Sequence, residues 1–369
     1  MKYYLSEPCP TVSDLEKKYV LEAIESNRVA TGKFNALFEQ SVRELTGTQN
    51  ALAVVNGTSA LHLALSVLGV NAGDVVFSST FTFIGSVSPI IYVGAEPVFI
   101  DSDQATWNMD PNLLEDELKK RSKSGEKMPK ALILTHIYGQ PADMESICLL
   151  CDKYGIALIE DAAESLGATF DGKHTGTFGR MGVFSFNANK IVTSGGGGML
   201  VSDDSSLIDK ARFLANQAKD KSDHFEHSEI GYNYRMSNIQ CAYGYAQLQE
   251  IAERVDGRRR VFEAYKRMVN QPPVTLMPEH EKARGTRWLT AMCFEDEDRV
   301  GIKQYMDAES IETRPLWKPM HIQPVFKDAK ALVNGTSEKF FNYGLCFPSG
   351  HNLSDADVEE INKRIIRIL

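Results

Sequence analysis

No stretch of the 369-residue sequence reaches the roughly 18 consecutive apolar residues that a bilayer-spanning helix requires, which excludes a helical membrane anchor within it. The opening residues, MKYYLSEPCP, lack the apolar segment of a secretory signal, so a cytoplasmic protein is expected. Cysteine is sparse: six residues are scattered without a disulfide framework, which suits a reducing compartment. Cys148 and Cys151 have C-x-x-C spacing, but no second pair accompanies them. They fall among leucines of an apparent helix, where packing explains them better than zinc or redox chemistry. Basic residues are not in excess, 40 against 49 acidic, for a net charge of −9. That argues against a chain built to coat nucleic acid, and leaves open a small anionic substrate, which needs only local cations. Neither G-x-G-x-x-G nor G-x-x-x-x-G-K-[ST] occurs, so Gly195 to Gly198 find no support as a nucleotide-phosphate loop. They fit better as glycines that let the backbone pass close to a ligand or a neighbouring strand. Internal repeats and low-complexity tracts are also absent.

What is present is an alternation. From about residue 50 to 202, short apolar runs (ALAVV, VVFSS, PVFID, ALILTH, IALIED, GVFSF and GGMLVS) are separated by helix-like segments such as SALHLALSVLG and ADMESICLLCDKYG. The runs are continuous, which marks strands buried on both faces of a mostly parallel sheet. Helices on both faces then give an α/β class. Ligands of such sheets sit beyond the carboxyl ends of the strands. A chain of this length suggests two domains: a large one over 1–254, and a smaller α+β one over 255–369 on which the N-terminal segment can pack. The polar residues 219–229, KDKSDHFEHSE, read as a mobile loop. The helical stretch NIQCAYGYAQLQEIAERVDGRRRVFEAYKRMV reads as a connector into the second domain. Val358, Ile361, Ile365 and Ile366 recur at helical spacing and predict a terminal amphipathic helix.

Two residues carry the chemical reading. Lys190 lies at the end of an apolar strand in FSFNANKIVTSGGGGM, and Asp161 ends another apolar run in IEDAAES. A lysine and a carboxylate at neighbouring strand ends are what pyridoxal phosphate requires. The amine forms a Schiff base with the aldehyde, and the carboxylate keeps the ring nitrogen protonated so that the ring accepts electrons. Asn56-Gly57-Thr58-Ser59-Ala60 joins a strand to a helix. By itself it is an ordinary helix cap, but beside Lys190 and Asp161 its amides and hydroxyls suit a phosphate. Phe83 follows a strand and is equally a ring-stacking residue or a core one. Gly231 to Ser237, GYNYRMS, reads unaided as a polar turn and cap. Arg314 to His321, RPLWKPMH, gathers cations and an indole between two prolines, a fixed shape able to grip a diphosphate.

In this order the pieces resemble the DegT/DnrJ/EryC1/StrS family of sugar aminotransferases, fold-type I pyridoxal phosphate enzymes. The resemblance runs through ATGKFNALFEQSV, VNGTSALHLAL, DVVFSSTFTF, PVFIDSDQATWNMDP, THIYGQPADM, IEDAAESLGA, FSFNANK, SGGGGML, GYNYRMSNIQCA, RPLWKPMH and FPSG. It implies a central parallel sheet with a smaller C-terminal domain, and a cofactor cycling between pyridoxal and pyridoxamine phosphate. It implies that Lys190 carries the cofactor and moves the proton, and that Asp161 pairs with the ring nitrogen. Phe83 would stack on the ring, while Thr58, Ser59 and Ser185 would bind the phosphate. Asn233 would reach that phosphate from the second subunit of a homodimer, and Glu164 would lie near the ring or its hydroxyl. Arg314, His321 and Asn187 are the implied substrate-binding residues. The FN-x-NK wording resembles the branch acting on UDP-4-keto-6-deoxy-N-acetylglucosamine with L-glutamate as donor. Ala188 replaces a usual glycine there, and Arg180 stands where an acidic residue is common. A GDP-4-keto-6-deoxymannose aminotransferase is the alternative within the family. A lyase or a non-catalytic regulator on the same fold is a more distant one. Intact Lys190 argues against the family's dehydratases, which carry histidine in its place.

Overall fold

Eight strands form the main sheet in the order Asn50–Val54, Gly198–Ser202, Met181–Ser185, Ala157–Asp161, Ala131–Thr135, Val75–Ser79, Glu96–Ile100 and Lys330–Leu332. All point the same way except Gly198–Ser202, which is antiparallel to both neighbours. The computed structural model describes residues 1–6, 12–269, 272–295 and 297–369, so Cys9 and the end of the opening segment lie outside the described residues.

The continuous apolar runs are explained by a core on each face of this sheet. Val76, Ile133 and Ile159 pack on one face with Leu61 and Leu65 of the helix Gly57–Val67. Their neighbours Phe77, Leu132, Leu134 and Leu158 pack on the other, with Leu114 and Leu118 of Pro111–Ser124 and Ile147 of Met144–Tyr154. Successive side chains of a strand point to opposite faces, so a doubly covered strand must be apolar at every position. Cys148 and Cys151 lie on Met144–Tyr154 and join the second core, and burial pushes both thiols up to about 12. They are packing residues, not reactive ones.

A four-stranded antiparallel sheet follows, in the order Val274–Leu276, Thr290–Phe294, Gly344–Phe347 and Arg314–Pro315. Its own core includes Phe262, Tyr265, Phe294, Met306 and Phe347, with Val358, Ile361 and Ile365 of the final helix Asp355–Ile368. Ile366 faces away and is exposed, so the apolar stripe is narrower than the spacing suggests. Tyr3 joins this core and pairs with Ile311. The expected connector is broken into Asn238–Leu248 and Ile251–Val269. The segment carrying Lys330–Leu332 returns to the main sheet, and Asp101 secures it by accepting from the amides of Asn334, Gly335 and Ser337. Residues 219–229 form no helix or strand.

Candidate active site

A cavity of about 410 Å³ opens at the carboxyl ends of the central strands, the position expected for a doubly wound sheet. Asp161 is the last residue of its strand and lines the cavity. The preceding Glu160 points to the opposite face by the strand's alternation. There its carboxylate accepts from the amides of Gly176, Phe178 and Gly179 and from the His136 ring, so it shapes the fold. Asp161 Oδ1 accepts from the Ala163 amide at 3.1 Å, and Oδ2 from Ser86 Oγ at 2.5 Å. Behind Ser86, Thr82 Oγ1 lies 2.7 Å away and Thr135 Oγ1 a further 2.9 Å. Each hydroxyl has one proton, so Ser86 donating to Asp161 orders the chain: Thr135 donates to Thr82, and Thr82 to Ser86. All three hydroxyl residues are buried, and the chain holds the carboxylate in one orientation.

Lys190 stands on the same cavity. Its Nζ lies 3.5 Å from Glu164 Oε1 and 4.1 Å from the centre of the Trp288 ring. The turn before it is pinned from outside: the Asn189 carbonyl accepts from Trp288 Nε1 at 2.8 Å and from Ser6 Oγ at 3.3 Å. Glu164 is buried, and its other oxygen accepts from the Tyr138 amide at 2.7 Å. Burial pushes the Glu164 carboxyl above its ordinary range, and the charge of Lys190 opposes that shift.

Gly57 and Thr58 begin a helix at the cavity wall. Asn56 caps it by accepting from the Ser59 amide at 2.7 Å. Ser59 does not line the cavity, and its amide is committed to that cap. Gly196 and Gly197 pass beside this helix start. A Cβ on Gly198 would meet the Asn56 carbonyl carbon at 2.5 Å, so this approach requires glycine. Ser185, Asn187, Phe83 and Arg314 also line the cavity. Arg314 is paired with Glu312 at 2.9 Å, its side chain 65% exposed. Trp317 reaches the wall with its ring 5.3 Å from Phe83.

His321 and Asn233 are not brought to the cavity. The His321 ring is engaged by Thr80 Oγ1 at 2.7 Å and by Glu338 at 3.2 Å, and it ties the segment after Trp317 to a strand end. Asn233 is exposed and pairs through its backbone with Asn216. Arg180 pairs with Asp204 away from the cavity, so that departure does not touch the site. Sequence reasoning missed Thr82, Ser86, Thr135, Tyr138 and Trp288. Thr135 ends its strand, and Thr82 and Ser86 follow the end of Val75–Ser79, the zone where ligands of parallel sheets sit, and that rule alone would have pointed to them.

The donor set fits pyridoxal phosphate. An amine for the aldehyde, a fixed carboxylate for the ring nitrogen, an aromatic face and a helix start for the phosphate share one cavity. The sequence pattern of the DegT/DnrJ/EryC1/StrS aminotransferase family matches residues 10–366. The chain belongs to this family. It is similar to EpsN of Bacillus subtilis, named as a pyridoxal phosphate-dependent aminotransferase, at 46% identity over 100% of this chain and 95% of the relative. It is 36% identical to the GDP-perosamine synthase of Vibrio cholerae, over 95% of each. A DegT DnrJ EryC1 StrS aminotransferase from Brucella abortus superposes with a TM-score of 0.91 at 28% identity, over 96% of this chain and 95% of that one. This DegT-family protein is thus a fold-type I sugar aminotransferase that depends on pyridoxal phosphate. Among the described residues, no helix is long and apolar enough to cross a membrane.

Proposed function

We propose that the enzyme moves an amino group from L-glutamate to the C4 keto carbon of a nucleotide-linked 4-keto-6-deoxy sugar. The acceptor in this reading is UDP-4-keto-6-deoxy-N-acetylglucosamine, and the product a UDP-4-amino-4,6-dideoxy-N-acetylhexosamine. The observation that carries the chemistry is the Lys190 amine facing the same cavity as the fixed Asp161 carboxylate. When bound, pyridoxal phosphate supplies an electron sink conjugated to the reacting carbon. Lys190 holds it and moves one proton between the substrate carbon and the cofactor carbon. Asp161 would hold the ring nitrogen protonated, Phe83 would stack on the ring, and Glu164 would serve the ring or its hydroxyl. Thr58 and Ser185 would serve the phosphate, while Ser59, off the cavity lining, is left out of that set. Arg314 exchanges Glu312 for the acceptor's diphosphate, with Asn187 beside it.

The reading includes a cytoplasmic homodimer with shared sites. Phe83, Ile84, Ile91 and Tyr92 are 54%, 39%, 49% and 59% exposed, apolar surface that a second copy would cover. Asn233 of that copy then completes the phosphate site. A second reading, GDP-4-keto-6-deoxymannose as acceptor, is favoured by the likeness to GDP-perosamine synthases. Calorimetric titration of the cofactor-loaded enzyme with UDP and with GDP separates the two. UDP is expected to bind at least ~10-fold tighter, a difference of about 1.4 kcal/mol. The reverse order would select the perosamine-type acceptor.

A further inference from the structure

We infer that Tyr138 is a positioning residue for the sugar-nucleotide acceptor, fixing the Arg314–Trp317 segment at the wall of the cavity that Lys190 also lines. This rests on the proposed reading that the acceptor contacts that segment. Tyr138 is buried, and its backbone has φ 52°, the left-handed region that a bulky residue rarely occupies. Such strain persists only where the surroundings over-determine it. Here four contacts do so. The Tyr138 amide donates to Glu164 Oε2 at 2.7 Å. The ring lies parallel to Trp317, within 7° at 6.3 Å, with Phe81 edge-on at 6.0 Å. The hydroxyl oxygen accepts from the Trp317 backbone amide at 2.8 Å.

That last bond lies inside the segment that carries Arg314 and Trp317 to the cavity wall. Its neighbour Leu316 is held by donating to the Gly344 carbonyl at 3.1 Å, so two adjacent amides set the segment's height over the cavity. One residue thus joins the carboxylate beside Lys190 to the wall that faces the acceptor. The two ends are separable. Tyr138→Phe keeps the amide that serves Glu164 and the ring that faces Trp317, and removes the hydroxyl, which accepts from the Trp317 amide and also meets the buried Cys346 thiol. A partly buried amide left without that partner shifts the segment toward other arrangements.

The test uses cofactor-loaded enzyme and, as probe, whichever of UDP and GDP the wild type binds more tightly. Tyr138→Phe is expected to weaken the probe's Kd by ~10-fold, read by calorimetry, while the single-turnover rate of bleaching by L-glutamate stays within about twofold. An unchanged Kd overturns the inference. So does an equal loss in both measurements, which would mark a general loosening of the site. Phe81→Leu, which removes the ring packed edge-on against Tyr138 and lies off the cavity lining, gives the same comparison if Tyr138→Phe does not accumulate folded. Failure of the wild type to bleach with glutamate would instead defeat the proposed donor reaction.

Discussion

Lys190→Ala is expected to lower multiple turnover by at least ~10⁴-fold, the upper end of what one acid–base group contributes, because this residue also tethers the cofactor. Within the cavity its Nζ faces Glu164 at 3.5 Å and the Trp288 ring at 4.1 Å. Neither takes its place: Glu164 is fixed by the Tyr138 amide, and Trp288 has its Nε1–H committed to the Asn189 carbonyl. The fold should survive. Burial already pushes the Glu164 carboxyl upward, and removing Lys190 removes an opposing charge, which pushes it further toward the neutral form and eases the loss of its partner. Steady-state rates and the thermal midpoint check both halves. Residual multiple turnover above about one part in a thousand would contradict the role assigned to Lys190.

Asp161→Asn is expected to reduce kcat by about 10²–10³-fold, the range for loss of a preorganised electrostatic partner, with a much smaller change in cofactor occupancy. The carboxylate accepts on both oxygens, from Ser86 and from the Ala163 amide. An amide side chain has one acceptor oxygen, so it serves only one of those donors. The arrangement that satisfies most groups keeps the oxygen on Ala163, turns the NH₂ toward Ser86 and reverses the hydroxyl chain through Thr82 to Thr135. The pocket thereby keeps its shape and loses the negative charge that holds the proton on the ring nitrogen. The cofactor's absorbance after dialysis measures occupancy, and stopped-flow mixing with L-glutamate measures the rate. A near-normal rate would count against the electron-sink role.

Lys190, Asp161 and the helix start at Gly57 were legible because each sits where an apolar run meets a turn, and a parallel sheet puts those junctions side by side. The strands were legible because burial on both faces leaves no polar gaps. Direction was not legible. His321 belongs to a motif that reaches the cavity, yet its ring turns toward Thr80 and Glu338, a choice made by packing far away in sequence. Ser59 follows Thr58 by one residue, and the cap made by Asn56 decides that its amide is occupied. Trp288 carries no local pattern and reaches Lys190 from about a hundred residues away, while Tyr138, although inside THIYGQPADM, acts through a hydroxyl that meets Trp317, a partner remote in sequence. Lys330–Leu332 is too short to register as a strand, so its return to the main sheet was hidden within a segment read as belonging to the small domain.

The most direct test of the central claim is the visible absorbance of the purified, cofactor-loaded protein during titration with L-glutamate. A yellow band that bleaches as 2-oxoglutarate accumulates is the expected result, joining the cofactor, the Lys190 linkage and the donor in one observation. A protein that remains colourless after pyridoxal phosphate is added would contradict the account, and a yellow one indifferent to glutamate would contradict the proposed donor.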